Sequence, residues 1–301
     1  MFNDFQPFSI RTETPSGGAT IRGRKGGSGY PILLLHGYPQ TGAMWHRVAP
    51  ELAKRFTVVI PDLRGYGQSS KPETDEHHAP YSKREMALDM LQVMATMGYG
   101  RFHIGAHDRG ARVAHRLALD HPDAVRAMAF LDVAPTREMY RATDEAFARA
   151  YWHWFWLTLP APAPERMIGA DPRGFWRLKC GSCWSNGSPG VDLFDAEALS
   201  EYFRCWTPET IHATCEDYRA AASIDITHDD ADGGRRVEAP LLALWGSRGA
   251  IPRSFDCMSL WKQRAMNVAG YAIEGGHYLA EECSDAVLSA FLKHFEDPKH
   301  V

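Results

Sequence analysis

Several features that mark particular protein classes are missing from this chain of 301 residues. The formal net charge is only −4, which gives no basic surface of the kind that binds nucleic acid. No apolar run is long enough to cross a bilayer, and the first residues lack the basic and apolar regions of a signal peptide. We therefore expect a cytoplasmic protein with neither a nucleic-acid nor a membrane partner.

Cysteine is also scarce, with six residues in the whole chain. Cys180 and Cys183 form a lone C-x-x-C pair, and no second pair follows at the spacing of a zinc site. Six cysteines are too few for a disulfide framework in a chain of this size. The sequence therefore predicts reduced thiols, no metal centre and no cofactor.

What the chain does contain is an ordinary globular composition, 45% apolar and 23% charged, with short apolar runs between helical patterns. Helical patterns cover residues 83–97 and 109–120. The apolar runs are YPILLLHG (30–37), FTVVIPDLRGYGQSS (56–70), RFHIGAHD (101–108), AMAFLDVAP (127–135) and APLLALWGS (239–247). Such continuous runs are typical of strands buried on both faces of a parallel sheet. The alternation predicts an α/β fold with a mostly parallel central sheet flanked by helices.

One segment has a different composition from the rest. Residues 136–222 are rich in tryptophan and proline, as in YWHWFWLTLPAPAPERMIGADP (151–172), and contain no convincing central strand. We interpret this segment as a helical cap inserted between two parts of the core, residues 1–135 and 223–301. A cap at this point would lie over the carboxyl ends of the strands, where open α/β sheets bind ligands.

The stretch GAHDRGAR (105–112) lies where a strand is expected to turn sharply into a helix. Its small-x-Asp-x-small pattern is that of a nucleophile elbow with Asp108 in place of the usual serine. The positive end of the helix dipole would keep this carboxylate ionised. A carboxylate nucleophile suits displacement at a saturated carbon or an epoxide, and its attack would form an ester on the enzyme.

Hydrolysis of that ester needs a base and an oxyanion hole. His277, in EGGHYLAEE (274–282), lies on a loop before the last helix and is the expected base. The loop after the late strand, WGSRGAIPRS (245–254), has no aspartate. Asp132 in FLDVAP, at the end of the strand after the elbow, is therefore the expected partner of His277. The backbone N–H groups of Tyr38, in HGYPQ, and Arg109 are the expected oxyanion donors.

These motifs, in this order, resemble the α/β-hydrolase superfamily. Over nearly its full length the chain is similar to the fluoroacetate (haloacetate) dehalogenases of that superfamily. The similarity lies in HDRGAR (107–112), LDVAPT (131–136), YWHW (151–154), IGADP (168–172), CEDYRAAA (215–222) and GGHYLAEE (275–282).

The resemblance implies a role for each matched residue. It implies that Asp108 is the nucleophile, and that Asp132 and His277 are the acid and the base. The other roles are carboxylate binding by Arg109 and Arg112 and halide binding by His153, Trp154 and Tyr218. It also implies a homodimer. The stretch WRLKCGSCWSNGSPG (176–190) departs from the family, and there we expect Trp184 to form a pocket wall.

The leading hypothesis is hydrolysis of short 2-haloacids, with haloacetate giving glycolate and halide. An epoxide hydrolase is the alternative, because it shares the aspartate nucleophile and the Asp–His pair. It would need two cap tyrosines as acids, and the candidates are Tyr140, Tyr151, Tyr202 and Tyr218. Paired arginines beside the nucleophile suit an anionic substrate better. A third class, a binding protein without turnover, is disfavoured by the complete set of Asp108, Asp132 and His277.

Simpler interpretations apply to individual residues. Arg109 and Arg112 could make ordinary surface salt bridges. His153 and Trp154 could be part of the cap core, as aromatic clusters usually are.

Overall fold

Eight strands form one sheet in the computed structural model, which describes residues 1–181 and 190–300. In the sheet the strands follow the order β1-β2-β4-β3-β5-β6-β7-β8. Strands β3 to β8 are parallel to one another, whereas β2 pairs antiparallel with both β1 and β4. The bounds are β1 Gln6–Thr12, β2 Ala19–Gly26, β3 Tyr30–Leu35, β4 Phe56–Pro61, β5 Phe102–His107, β6 Val125–Leu131, β7 Leu241–Gly246 and β8 Val268–Ile273. The predicted mostly parallel α/β sheet is confirmed.

The sequence analysis located the five strands at the centre of this sheet and missed β1, β2 and β8 at its edges. Strands β4 and β5 are buried along their whole length, so their sequences are continuous apolar runs. At least half of the residues in strands β1 and β8 are exposed. An edge strand needs no continuous apolar run, and for this reason the pattern did not indicate them.

Fifteen α-helices surround the sheet in the described part of the chain. In the core they are α1 Ala49–Leu52, α2 Lys83–Thr96, α3 Asp108–Asp120, α12 Ile251–Ser254, α13 Cys257–Arg264, α14 Leu279–Glu282 and α15 Ser284–Phe295. Between β6 and β7 they are α4 Thr136–Arg141, α5 Glu145–Ala150, α6 Trp152–Trp156, α7 Ala163–Ala170, α8 Pro172–Gly181, α9 Ala196–Cys205, α10 Pro208–Ala222 and α11 Ile224–Asp232.

The segment predicted as a cap is helical wherever the structure describes it. From Thr136 to Asp232 the described elements are α-helices and one short 3-10 helix at Val191–Leu193. Helices continue past residue 222 through α11, so the exact cap boundaries, 136 and 222, stay a prediction. None of the described helices has the length and apolarity that crossing a bilayer requires.

Helix α3 is held very close to the sheet. Gly110 lies against β3, and a Cβ atom at this position would stand 2.4 Å from the carbonyl oxygen of His36. Only glycine permits this approach. The helix ends at Asp120, before the His121–Pro122 pair that predicted its end. Its first residue is thereby fixed at the carboxyl end of β5.

Candidate active site

The first residue of α3 is Asp108, directly after the end of β5 at His107. Its φ of +43° lies in the left-handed region, which is strained for a residue with a Cβ atom. Gly37 leaves room for this turn, because a Cβ there would stand 2.6 Å from the Cβ of Asp108. The strained turn presents the carboxylate at the helix N-terminus, as expected for a nucleophile elbow.

Asp108 is buried, and its carboxylate is stabilised by donors and positive charges. The backbone N–H of Tyr38 donates to Oδ2 at 3.1 Å. Burial raises the pKa of Asp108, but His277, Arg112 and other nearby groups outweigh it and hold the pKa below its ordinary value. The carboxylate is therefore ionised at neutral pH. The backbone N–H of Arg109 is in the first turn of α3, where amides have no partner within the helix.

The structure brings His277 and Asp132 together from positions 145 apart in the chain. Nδ1 of His277 lies 2.6 Å from Oδ2 of Asp132, and the backbone N–H of Gly246 donates to Oδ1 at 2.9 Å. Asp132 follows β6 with a φ of +47°, a second strained residue of the site. Burial raises its pKa, and the contact with His277 opposes that shift. Because Nδ1 is committed to Asp132, Nε2 of His277 is the nitrogen that can accept a proton.

Both predicted carboxylate-binding arginines are buried, so neither makes a surface salt bridge. Arg112 donates through Nη1 to the Ala134 carbonyl at 3.1 Å and to Thr136 Oγ1 at 2.8 Å. Its guanidinium lies 4.5 Å from the ring centre of Trp154. Among the described residues its Nε has no hydrogen-bond partner. One donor thus remains for a ligand.

Arg109 has a strong partner that the sequence analysis missed. Its Nε and Nη2 donate to the two carboxylate oxygens of Asp217 at 2.8 and 2.7 Å. Asp217 also accepts from the Tyr66 hydroxyl at 2.6 Å and pairs with Lys83. Burial raises the pKa of Asp217, but Arg109 and Lys83 hold it far below its usual value. Only Nη1 of Arg109 is left without a partner in the described part of the chain. The sequence could have indicated Asp217 as a site residue through its position next to Tyr218, which was predicted to bind halide.

The three residues predicted to bind halide share one property: each has a buried polar atom that could face a ligand. Nδ1 of His153, Nε1 of Trp154 and the hydroxyl of Tyr218 have no hydrogen-bond partner within the described ranges. Burial holds the pKa of His153 well below its ordinary value, so the ring is neutral. A buried donor without a partner costs stability, on the order of 1–3 kcal/mol. Buried polar atoms of this kind could donate hydrogen bonds to a bound anion.

Tyr218 is the best placed of the three. Its ring centre lies 5.1 Å from that of Tyr38 and 4.2 Å from the guanidinium carbon of Arg109. The charge of Asp108 is, after burial, the largest influence that raises the pKa of its hydroxyl. The Tyr218 hydroxyl is therefore a neutral donor beside the nucleophile.

A small cavity lies beside Asp108. It is lined by Asp108, Tyr151, His153, Lys179 and His277. Tyr151 and Lys179 were not predicted as site residues. Lys179 belongs to a helix whose sequence, PRGFWRLKCG, carries no motif that would have indicated it. Trp184, the expected pocket wall, lies outside the described residues.

Two other clusters have structural explanations. The hydroxyl of Tyr202 donates to the buried carboxylate of Glu281, so this tyrosine is already engaged. Glu165, His212 and Glu216 place potential metal-ligand atoms within 4.8 Å of one another. Arg219 donates to the two glutamates of that group at 2.8 and 2.5 Å, and this ion-pair network accounts for their proximity.

The fold and the site together define an α/β hydrolase. Residues 30–173 match the family model of the alpha/beta hydrolase fold. An α/β hydrolase from Nostoc sp PCC 7120 superposes with a TM-score of 0.94 and 48% identity, over 99% of this chain and 100% of that one.

Within this class, the chain belongs to the fluoroacetate dehalogenase family. It is 46% identical over 286 residues to a fluoroacetate dehalogenase from Burkholderia sp, which spans 95% of this chain and 92% of that protein. A soluble epoxide hydrolase from Corynebacterium sp. (strain C12) is 34% identical over 89% of this chain and 91% of its own length. A protein described as an epoxide hydrolase from Pseudomonas aeruginosa, in a structure with bound MFA, is 42% identical with a TM-score of 0.89, over 100% and 98% of the two chains.

Proposed function

We propose that this protein is a haloacetate dehalogenase, which converts a short 2-haloacid and water into the 2-hydroxyacid and halide. The observation that carries the proposal is an ionised Asp108 together with three buried polar atoms that have no partner in the described ranges. His153 lines the cavity with Asp108, the charge of Asp108 acts on the Tyr218 hydroxyl, and the Trp154 ring lies against Arg112. A departing halide needs such donors, and a carboxylate nucleophile suits displacement at saturated carbon. The similarity to a fluoroacetate dehalogenase supports the same activity.

The substrate carboxylate is held by the two arginines. Nε of Arg112 and Nη1 of Arg109 are the donors without partners in the described structure. Charge-assisted hydrogen bonds to a carboxylate are roughly twice as strong as neutral ones. Because Asp217 fixes the other two nitrogens of Arg109, this guanidinium is oriented before the substrate arrives.

In the first step Asp108 displaces the halide. The Tyr38 N–H holds Oδ2, so Oδ1 is the oxygen left to attack C2 of the haloacid. A carbon–oxygen bond forms as the carbon–halogen bond breaks, and the halide leaves with the bonding electrons. His153, Trp154 and Tyr218 donate hydrogen bonds to the departing anion. The product of this step is an ester on Asp108.

In the second step water hydrolyses that ester. Nε2 of His277 accepts a proton from the water, and Asp132 stabilises the resulting imidazolium. The oxygen of the water attacks Cγ of Asp108, and the oxyanion is stabilised by the backbone N–H groups of Tyr38 and Arg109. The intermediate collapses, and the hydroxyacid leaves with the proton from the imidazolium. The carboxyl group of Asp108 then releases the second proton of the water to solvent, which regenerates the carboxylate.

Epoxide hydrolysis is a second candidate. Tyr151 lines the cavity beside Asp108, and the Tyr218 hydroxyl has no partner in the described ranges, so two tyrosines are near the nucleophile. The soluble epoxide hydrolase relative supports this alternative. One observation argues against epoxide hydrolysis. A neutral epoxide has no carboxylate to accept hydrogen bonds from the free donors of the two arginines.

An activity panel separates the two. Purified protein would be incubated with fluoroacetate, chloroacetate, 2-fluoropropionate and styrene oxide. Ion chromatography would measure halide and a chromatographic assay would measure diol. We expect halide from the haloacetates and little diol. Diol formation without halide release would overturn the proposal in favour of epoxide hydrolysis, and neither product would favour a binding protein.

We further propose that the enzyme works in the cytoplasm as a homodimer, as the family resemblance implies. Sedimentation velocity at micromolar concentration would show a species of twice the 33.7 kDa chain mass. A monomer under these conditions would contradict the dimer.

A further inference from the structure

The loop that carries His277 has little regular structure of its own. It covers residues 274–278, between β8 and α14, and contains Gly275 and Gly276 directly before the base. Glycine has the widest backbone freedom of any residue, so this pair leaves the position of the base open. The side chain of His277 is tied to Asp132 through Nδ1, and a single hydrogen bond still lets an imidazole ring pivot. Other contacts must therefore fix the base.

The backbone on both sides of the base is held by one carboxylate. Glu282, the last residue of α14, accepts through Oε2 from the N–H of Gly276 at 2.9 Å and through Oε1 from the N–H of Tyr278 at 2.9 Å. Its side chain is only 6% exposed. Because each oxygen takes a different N–H, the two residues that flank His277 are fixed to the same helix. An amide side chain has one acceptor oxygen and could not hold both in this geometry.

The carbonyl group of the base is held by a second side chain. Nε2 of His107 lies 2.9 Å from the backbone oxygen of His277. A carbonyl can only accept, so Nε2 of His107 carries the proton and donates it. His107 is fully buried, and burial together with the nearby charge of His277 lowers its pKa to about 3. The two ring centres are 4.6 Å apart, so a neutral His107 puts no second positive charge beside the imidazolium of the proposed reaction.

The position of His107 in the chain gives this contact a further consequence. His107 ends β5 and is the residue directly before Asp108. Its hydrogen bond therefore joins the strand that carries the nucleophile to the loop that carries the base through a single side chain. Hydrolysis needs Nε2 of His277 and Cγ of Asp108 at a separation that fits one water molecule. A misplacement of about 1 Å can lower a rate about 10²-fold.

We propose that His107 and Glu282 form a clamp of two positioning residues, which fixes the backbone of the base loop and so holds Nε2 of His277 where it activates the water that hydrolyses the ester. This inference rests on the proposed function and adds two residues that act through His277 rather than on the substrate. The clamp serves the second step alone, because displacement of the halide needs no base. Its loss should slow hydrolysis of the ester and spare its formation.

The test measures the two steps separately. A single turnover with enzyme in excess over chloroacetate, followed by rapid quenching and intact mass spectrometry, gives the rates at which the ester on Asp108 forms and decays. His107→Phe keeps a planar ring of similar size and deletes the donor. Its ester should decay about tenfold more slowly or worse, whereas ester formation should change less than about twofold. Circular dichroism would check folding.

Three further variants make the result specific. His107→Gln keeps an N–H donor at a similar reach and should restore most of the hydrolysis rate. Glu282→Gln removes one acceptor oxygen away from the nucleophile, should slow hydrolysis in the same selective way, and carries the test alone if His107→Phe does not fold. Glu274→Gln is the matched control, because it changes a glutamate of the same loop that is 91% exposed, and it should change neither rate. Equal losses in the two steps, or an unchanged hydrolysis rate, would overturn the clamp.

A spectroscopic measurement separates the clamp from the proposed function. Proton NMR of the protein without substrate would detect the Nδ1–H of His277, which a short bond to a carboxylate moves far downfield, and Asp132→Asn would assign the signal. The signal should broaden or disappear in His107→Phe and in Glu282→Gln, because a mobile base loop exchanges this proton with water. An unchanged signal in both variants would rule out the clamp. No ester on Asp108, even in His277→Asn, would instead contradict the proposed function.

Discussion

The two sides of this active site treat their polar groups in opposite ways. On the core side, Asp108, Asp132 and His277 have hydrogen bonds supplied by the protein itself. On the cap side, His153, Trp154 and Tyr218 have buried donors without partners in the described structure. The core side thus satisfies its polar groups within the protein, whereas the cap side leaves polar atoms that the halide of the proposed reaction would use.

The two sides also differ in what costs them stability, which is backbone strain in the core and unpaired hydrogen-bond donors in the cap. The core holds strained residues at φ values of +43° and +47°, and a large hydrophobic sheet supports that strain. Unpaired donors in the cap cost stability, and in the proposed reaction that cost is recovered when negative charge develops on the leaving group. Changes on the core side should therefore stop the chemistry, and changes on the cap side should depend on which halide leaves.

The largest effect is expected on the core side. His277→Asn should lower turnover about 10³-fold or more, because no base activates the water. Alkylation needs no base, so the ester on Asp108 should accumulate and be seen by intact mass spectrometry after incubation with chloroacetate. Asp108→Ala should form no ester. An adduct mapped outside residues 105–112 would remove Asp108 as the nucleophile.

Arg112 lies between the two sides, and its loss should be the next most severe. Arg112→Leu removes a charge-assisted contact in a desolvated pocket, and kcat/KM for haloacetate should fall about 10²-fold or more. Circular dichroism would check folding. Arg149→Leu, which removes an exposed arginine of the cap, is the control and should keep normal kinetics. Near-normal activity in folded Arg112→Leu would show that the substrate carboxylate binds elsewhere.

The cap side should discriminate between halides. Trp154→Phe keeps most of the apolar bulk and deletes one donor, which typically costs about 10²–10³ in rate. Fluoride is a poor leaving group with concentrated charge, so fluoroacetate turnover should fall far more than chloroacetate turnover. Trp152→Phe is the matched control from the same helix. Equal losses on the two substrates would mean that Trp154 only packs in the cap. If the parent does not release fluoride, the same comparison is made between chloroacetate and bromoacetate.

The smallest effect concerns stability, where cap and core meet away from the nucleophile. Tyr202 and Gln40 donate to Glu281, and burial raises its pKa from 4.5 to about 8. The unfolded chain releases this proton at lower pH than the folded one, so the free energy of unfolding should fall as pH rises from about 5 to about 8, and then level off.

Glu281→Gln tests this linkage. The free energy of unfolding of the variant should not show this pH dependence. The difference between variant and parent should therefore shift by about 2 kcal/mol in favour of the variant between pH 6 and pH 9. Urea denaturation at the two pH values measures the difference. Glu274→Gln, at a position that is 91% exposed, should follow the parent at both pH values. A parent whose stability does not change across this range would show that Glu281 is already ionised.

The sequence by itself determined the elements that depend on local patterns. The central strands β3 to β7 were predictable because each is a continuous apolar run, and Asp108 because its turn is encoded by adjacent residues. The 3.6-residue helical period puts Arg112 one turn after Asp108, on the same face of α3. The edge strands β1, β2 and β8 have no such run and were missed.

Only the tertiary structure decided which donors remain for a ligand. Asp217 lies 108 positions after Arg109, and its contacts take two of the three guanidinium nitrogens. Lys179 lines the same cavity as Asp108, although it lies 71 positions later in the sequence. Neither relation has a local pattern, because hydrogen bonds between distant segments follow from how the cap packs on the core. The sequence specified which residues could act, and folding determined which of their atoms are left to do so.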